Sequence, residues 1–165
     1  MSMLTRVLGR FGVPGLLAAA IILAADQASK AAILGRFAEA GDGVTLLPFF
    51  NLVLVWNHGV SFGLFNQGGA TGTVLLIVLA LVITAAMAVW MRRAVRLIEA
   101  VCAGMVIGGA LGNVIDRLRL GAVVDFLDFH IAAWHWPAFN VADSGIVVGM
   151  LVLVVDGLFV KPATR

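Results

Sequence analysis

The chain has 165 residues, of which 62% are hydrophobic and 12% charged, with a formal net charge of +2. A water-soluble domain ordinarily carries about a quarter of its residues as charge, so this chain cannot coat itself against water, and a mean hydropathy of +1.07 puts it in a membrane. At about 20 apolar residues per crossing, the length holds roughly three to five spans with short connections and no separate soluble domain. The basic residues do not gather into one patch, which argues against a nucleic-acid partner. A single cysteine excludes an internal disulfide and any cysteine-rich metal site.

The first apolar run, about residues 14–34, follows a head that carries Arg6 and Arg10. It has marks of a cleavable leader: a basic head, a short apolar core, and small residues at Ala24 and Ala25. Apolar sequence resumes after Lys30, however, and Asp26 and Lys30 stand four apart, acid before base, on one helical face. The run therefore reads as a retained span. Segment 44–56 (VTLLPFFNLVLVW) reads as short strands or an interfacial hairpin, and so does segment 121–129 (GAVVDFLDF). Three further spans lie at about 72–91, 97–115 and 141–160. Each run is long enough to cross a hydrocarbon core of roughly 30 Å at about 1.5 Å per residue.

The expected fold is a membrane all-α bundle of four transmembrane helices with a small β-rich interfacial subdomain, one domain over residues 1–165. Gly104, Gly108 and Gly112 recur every four residues, as do Gly145 and Gly149, a spacing that lets helices approach closely in lipid. Arg6, Arg10, Arg92, Arg93, Arg96, Lys161 and Arg165 fall on one side, and Arg36, Arg117 and Arg119 on the other. Cytoplasmic loops carry the basic excess. Both termini are thus expected in the cytoplasm, and segments 35–71 and 116–140 on the outer side, which in a bacterium is the periplasmic side.

Ionisable groups inside a membrane point to function, because burying them is costly unless they are paired or wet. Here they collect at the outer ends of the spans: Asp26 and Lys30, then Asn113, Asp116 and Arg117, then Asp125, then Asn140 and Asp143, with Asn57 and His58 in the first outer segment. Asp125 and Asp143 both sit in apolar surroundings. If the two meet, the pair can share a proton and supply a general base and a general acid, the division that amide hydrolysis by water requires. The structural alternative is that Asp143 caps its helix and Asp125 pairs with Arg117 or Arg119.

Other constellations are poorer. His58, His130 and His135 lack the spacing of a helical zinc pair, and His130 and His135, beside Trp134 and Trp136, read as interfacial. Cys102 reads as a packed thiol. Ser144 lacks a nucleophile elbow, and Ser61 has only His58 near it as a base. Asp156 and Glu99, toward the cytoplasmic ends, are expected to snorkel or to pair with Lys161 and Arg96.

Five blocks carry a family resemblance: DQASK (Asp26–Lys30), NHGVSF (Asn57–Phe62), GNVIDR (Gly112–Arg117), VVDF (Val123–Phe126) and FNVADS (Phe139–Ser144). In this order they closely resemble the lipoprotein signal peptidases (signal peptidase II), bacterial membrane aspartic endopeptidases. The resemblance covers essentially the whole chain. Val60 and Ser61 are a variation within the second block, and no catalytic position is missing. The resemblance implies a catalytic dyad at Asp125 and Asp143, with Asn140 orienting it and Asp26–Lys30 as a structural pair beside it. Asn57, Gly59, Asn113 and Arg117 would bind substrate or brace the outer segments.

The implied partner is a prolipoprotein whose cysteine already carries diacylglycerol. It would arrive laterally through membrane lipid and be cut just before that cysteine, with no metal or organic cofactor. A monomer is expected. Segments 44–56 and 60–70, with Gly63, Gly68 and Gly69 as hinges, are candidates for a mobile cover. The alternative function is a small proton-coupled transporter with Asp26, Asp116 and Asp143 as relay groups, but a relay should run through the full depth of the membrane, whereas the inner halves of the spans are nearly free of charge.

Overall fold

The computed structural model describes residues 9–59 and 69–159. Among these residues, four helices are long and apolar enough to cross a membrane: α1 (Gly12–Arg36), α2 (Gly69–Arg93), α3 (Leu97–Leu120) and α4 (Val141–Phe159). Among the described residues, the strands β1 (Gly43–Leu47), β2 (Phe50–Asn57), β3 (Val123–Ile131) and β4 (Trp134–His135) form one antiparallel sheet in that order. Both strand-bearing connections lie at one end of the bundle. Gly9, just before α1, meets Arg92 at the other end, where Arg96 also reaches Asp156 near the end of α4.

Helix α3 is the axis. In its most apolar window 67% of residues are buried, against 17% to 22% in the other three helices, which present valine, leucine and isoleucine outward. Lipid is as apolar as leucine, so close packing and interhelical hydrogen bonds, not hydrophobicity, hold such helices together. Glycine supplies that packing. A Cβ on Gly104 would stand 2.0 Å from the carbonyl oxygen of Gly15 on α1. Gly104, Gly108 and Gly112 thus mark the face of α3 that meets α1, and Gly149 marks the face of α4 that meets α3.

The apolar run of α3 ends near Ile115, but the helix continues to Leu120. Hydropathy does not end a helix; a cap does. Gly121, at φ +77°, supplies the left-handed turn, and its N–H donates to the Arg117 carbonyl at 3.1 Å. The extension takes Asp116 and Arg117 into the bundle as helical residues.

Segment 44–56 falls in the β1–β2 hairpin, whereas residues 60–68, the rest of the expected cover apart from Gly69 and Ala70, lie outside the described residues. Arg6, Ser61, Lys161 and Arg165 also lie outside them. Strand β3 is buried over Val123–Phe126 because it is covered on both faces. Val124 and Phe126 pack with Leu54 and Ile33 on one side, which leaves Asp125 on the other. Farther along, Phe129 lies against Phe50, and the rings of His130 and His135 stack with centroids 4.8 Å apart. At the opposite end of the bundle Arg96 bonds both Glu99 and Asp156, joining the loop before α3 to α4.

Candidate active site

The site begins at the N-terminus of α4. Asn140 is the cap: its Oδ1 accepts the Asp143 N–H at 2.9 Å, and Asp143 Oδ2 accepts the Asn140 N–H at 3.2 Å. This reciprocal capping box satisfies two backbone donors that helix geometry leaves orphaned. Asp26 Oδ1 accepts a third, the Ala142 N–H, at 2.9 Å. The capping alternative for Asp143 is thus true as local structure, but it uses only one of the two carboxylate oxygens. The other accepts Asn113 Nδ2 at 2.8 Å.

With its oxygen committed to the cap, Asn140 directs its amide nitrogen to Asp125 Oδ1 at 2.7 Å. One side chain therefore touches both aspartates. Asp125 is brought there by β3, held between β2 and the chain entering α4, where Phe139 exchanges backbone bonds with Leu127. Asn57 on β2 donates to Asp125 Oδ2 at 2.9 Å, and its own Oδ1 accepts the Gly59 N–H. The Gly59 carbonyl in turn accepts from Arg117 at 3.0 Å. The partners of Asp125 are therefore asparagines, in place of the Arg117 or Arg119 pairing considered as an alternative.

Behind Asn113 lies a buried ion cluster. Lys30 Nζ stands 2.8 Å from Asp26 Oδ2 and 2.8 Å from Asp116 Oδ2, and it donates to Asn113 Oδ1 at 3.0 Å. Gln27 donates to Asp116 Oδ1 at 3.0 Å and to Asp26 Oδ2 at 3.2 Å. All nine residues that the resemblance assigns to the site thus join one hydrogen-bonded network. Asp116, which the sequence placed in the outer polar group without a site role, belongs to it as well. Gln27 also belongs to it and was not foreseen.

Asp125 is 1% exposed. Burial, and then the nearby charge of Asp143, push its carboxyl up to about 7, against the hydrogen bonds from Asn57 and Asn140. Three residues on, burial also pushes Asp128 up, but hydrogen bonds from Asn51 and His135 outweigh it and leave that carboxyl below its ordinary value. The two carboxyls share a strand and shift in opposite directions.

A cavity of about 200 Å³ opens beside Asp143. One wall is polar, with Asn57, Asn113 and Arg117, and the facing wall is apolar, with Leu76, Leu79 and Ile83 of α2. His58, His130, His135 and Cys102 take no part in the network's bonds. Ser144 only donates back to the Asn140 carbonyl. Among the described residues no group of three or more His, Cys, Asp or Glu side chains is arranged to hold a metal ion.

A membrane-embedded bundle with a buried carboxylate pair at one end is the architecture of the multi-pass membrane aspartic peptidases. The chain belongs to the signal peptidase II family, whose model, signal peptidase (SPase) II, matches residues 18–159. A lipoprotein signal peptidase of Rhodopseudomonas palustris (strain TIE-1) is 44% identical over 156 residues, covering 92% of this chain and 95% of that one. One from Methylorubrum extorquens (strain PA1) is 46% identical over 152 residues, covering 92% and 88%. A bacterial membrane enzyme solved by the in meso method at 2.3 Å matches with a TM-score of 0.78 at 26% identity, covering 92% of this chain and 94% of that one. The chain is accordingly a peptidase of the membrane, and the transporter alternative finds no support.

Proposed function

We propose that the protein removes the signal peptide from diacylglyceryl-modified prolipoproteins, cutting just before the lipidated cysteine, with Asp125 and Asp143 as the catalytic pair. The observation that carries this reading is Asn140, whose side chain donates to the Asp125 carboxylate and whose backbone N–H donates to that of Asp143, the one that lines the cavity. Asp125, the less exposed of the two, holds the proton the pair shares. Asp143, at a helix N-terminus whose dipole favours a negative charge, is the ionised partner. Water gives a proton to Asp143 as its oxygen attacks the scissile carbonyl. Asp125 donates a hydrogen bond to the developing oxyanion, and a proton then passes to the leaving nitrogen as the C–N bond breaks.

Arg117 and Asn57 line the polar wall where a peptide backbone can bind, and Gly59 is held between them. Asn113, Asp26 and Lys30 support Asp143 from behind. The apolar wall suits a substrate that stays in lipid by its signal helix and acyl chains. The basic residues Arg10, Arg92, Arg93 and Arg96 at the end away from the sheet support a cytoplasmic position for that end. The site then lies near the periplasmic face of the bacterial inner membrane. One chain, working as a monomer and a single domain, carries every group this chemistry uses.

The test is a gel-shift cleavage assay on a diacylglyceryl-modified prolipoprotein. Asp125→Asn and Asp143→Asn, each near-isosteric, are expected to lower cleavage by at least about 10²- to 10⁴-fold, the usual contribution of an acid or base. Near-full cleavage by either folded variant would falsify the pairing.

A further inference from the structure

Lys30 is 3% exposed, and the chemistry just described does not use it. Its ammonium reaches Asp26, Asp116 and Asn113, and Asn113 is the side chain that leads on to Asp143. An ammonium has only hydrogens to offer, so the Asn113 atom that faces it must be the carbonyl oxygen. The Asn113 nitrogen then has to point the other way, at Asp143 Oδ1. Asn140 reinforces the choice, because its Nδ2 reaches the same Asn113 oxygen at 3.3 Å. With Asn113 turned over, its NH₂ would face two donors and its oxygen would face Asp143 Oδ1, where the carboxyl would have to hold a proton.

We propose that Lys30 is a positioning residue: clamped between Asp26 and Asp116, it fixes the Asn113 amide so that Asp143 can only accept, which makes Asp143 the group that takes the proton from water. The proposal rests on the two-aspartate reading and names which aspartate does what. Gln27 belongs to the clamp, since it supplies hydrogen bonds to both acids and to the Gly112 carbonyl. Among the described residues, the charged groups around Asp143 are Asp26 and Lys30 from α1, Asp116 and Arg117 from α3, and Asp125 from β3. Helix α2 brings only apolar side chains to the cavity.

The experiment compares pH–rate profiles for cleavage of a diacylglyceryl-modified prolipoprotein. In Lys30→Met the acidic limb is expected to move to higher pH by about one unit or more. Two further variants separate amide orientation from mere charge. Lys30→Met/Asp116→Asn restores the net charge of the cluster and rescues the fold if the single change does not fold. Its limb is expected to stay raised. In an Asn113→Ala background, Lys30→Met is expected to add no further shift.

Where cleavage is too slow to profile, the infrared carboxyl band lost in Asp143→Asn reports the same titration. A wild-type limb in the folded double variant would overturn the proposal. So would an equal shift with and without Asn113, which would mean that Lys30 acts only through its field. Failure of the two-aspartate reading is distinguishable, because Asp125→Asn and Asp143→Asn would then still cleave.

Discussion

At the scale of single residues, the contrast between Asp125 and Asp128 shows how neighbours set the charge of a carboxyl. Each accepts from two side chains, but the charge of Asp143 adds to burial at Asp125, whereas His135 and His130 add to the hydrogen bonds that offset burial at Asp128. Because the value for Asp125 is raised, its neutral form is the favoured one, so the proton is present below about pH 7 and lost above it. Cleavage is therefore expected to fall as pH rises through that value, which a pH–rate profile measures directly. Changing Asp143→Asn removes the second cause of the shift and is expected to lower the titration of Asp125, read by infrared difference spectroscopy. Asp26→Ala should destabilise the fold by about 3–5 kcal/mol, the usual cost of breaking a buried ion pair, because Asp26 partners Lys30 and also caps α4. Thermal unfolding in detergent checks it. The residue types were legible as polar groups in costly places. Which amide faces which carboxylate was not, because an asparagine has the same letter in either orientation.

The elements meet through glycine. Adding a Cβ at Gly112 would place it 2.5 Å from Asp26 Oδ2, so Gly112→Ala is expected to disturb the ion cluster and lower cleavage along with stability. At Gly104 the added atom meets backbone instead of a side-chain tip. There Gly104→Val should push α1 from α3 and cost about 1–3 kcal/mol, in the range of overpacked cores. Gly35→Ala is the control: nothing lies within 4 Å of the added carbon, and the change should stay within about 0.5 kcal/mol of wild type. Unfolding midpoints of the three variants rank these expectations. The four-residue spacing made close packing legible from sequence, but not that α3 uses one face for α1 and another for α4. The end of α3 was also beyond hydropathy, since Gly121 stops the helix by its left-handed backbone rather than by polarity.

For the whole molecule, the two ends of the bundle are built differently. The sheet end carries the carboxylate network. The other end is tied by Arg96 to Asp156 and Glu99, an ion cluster joining the α2–α3 loop to α4. A reporter that works only in the periplasm, fused after Arg93, should be inactive, and activity there would invert the proposed orientation. Lys161, one expected partner of that cluster, lies outside the described residues, and Arg96 serves both acids.

The number of spans followed from composition and run length, because a helix that crosses lipid must be apolar over about 20 residues. The 12% of charged residues could likewise be sorted along the chain into two ends, since a buried charge is too costly to place by chance. Only the tertiary structure decided which members of the polar group meet. Asp26, Asn57, Asn113, Asp125 and Asp143 come from α1, β2, α3, β3 and α4, and their meeting depends on helix packing, strand register and a cap. Those are relations between distant segments, set by the closest approach of backbones. No local run of residues contains them.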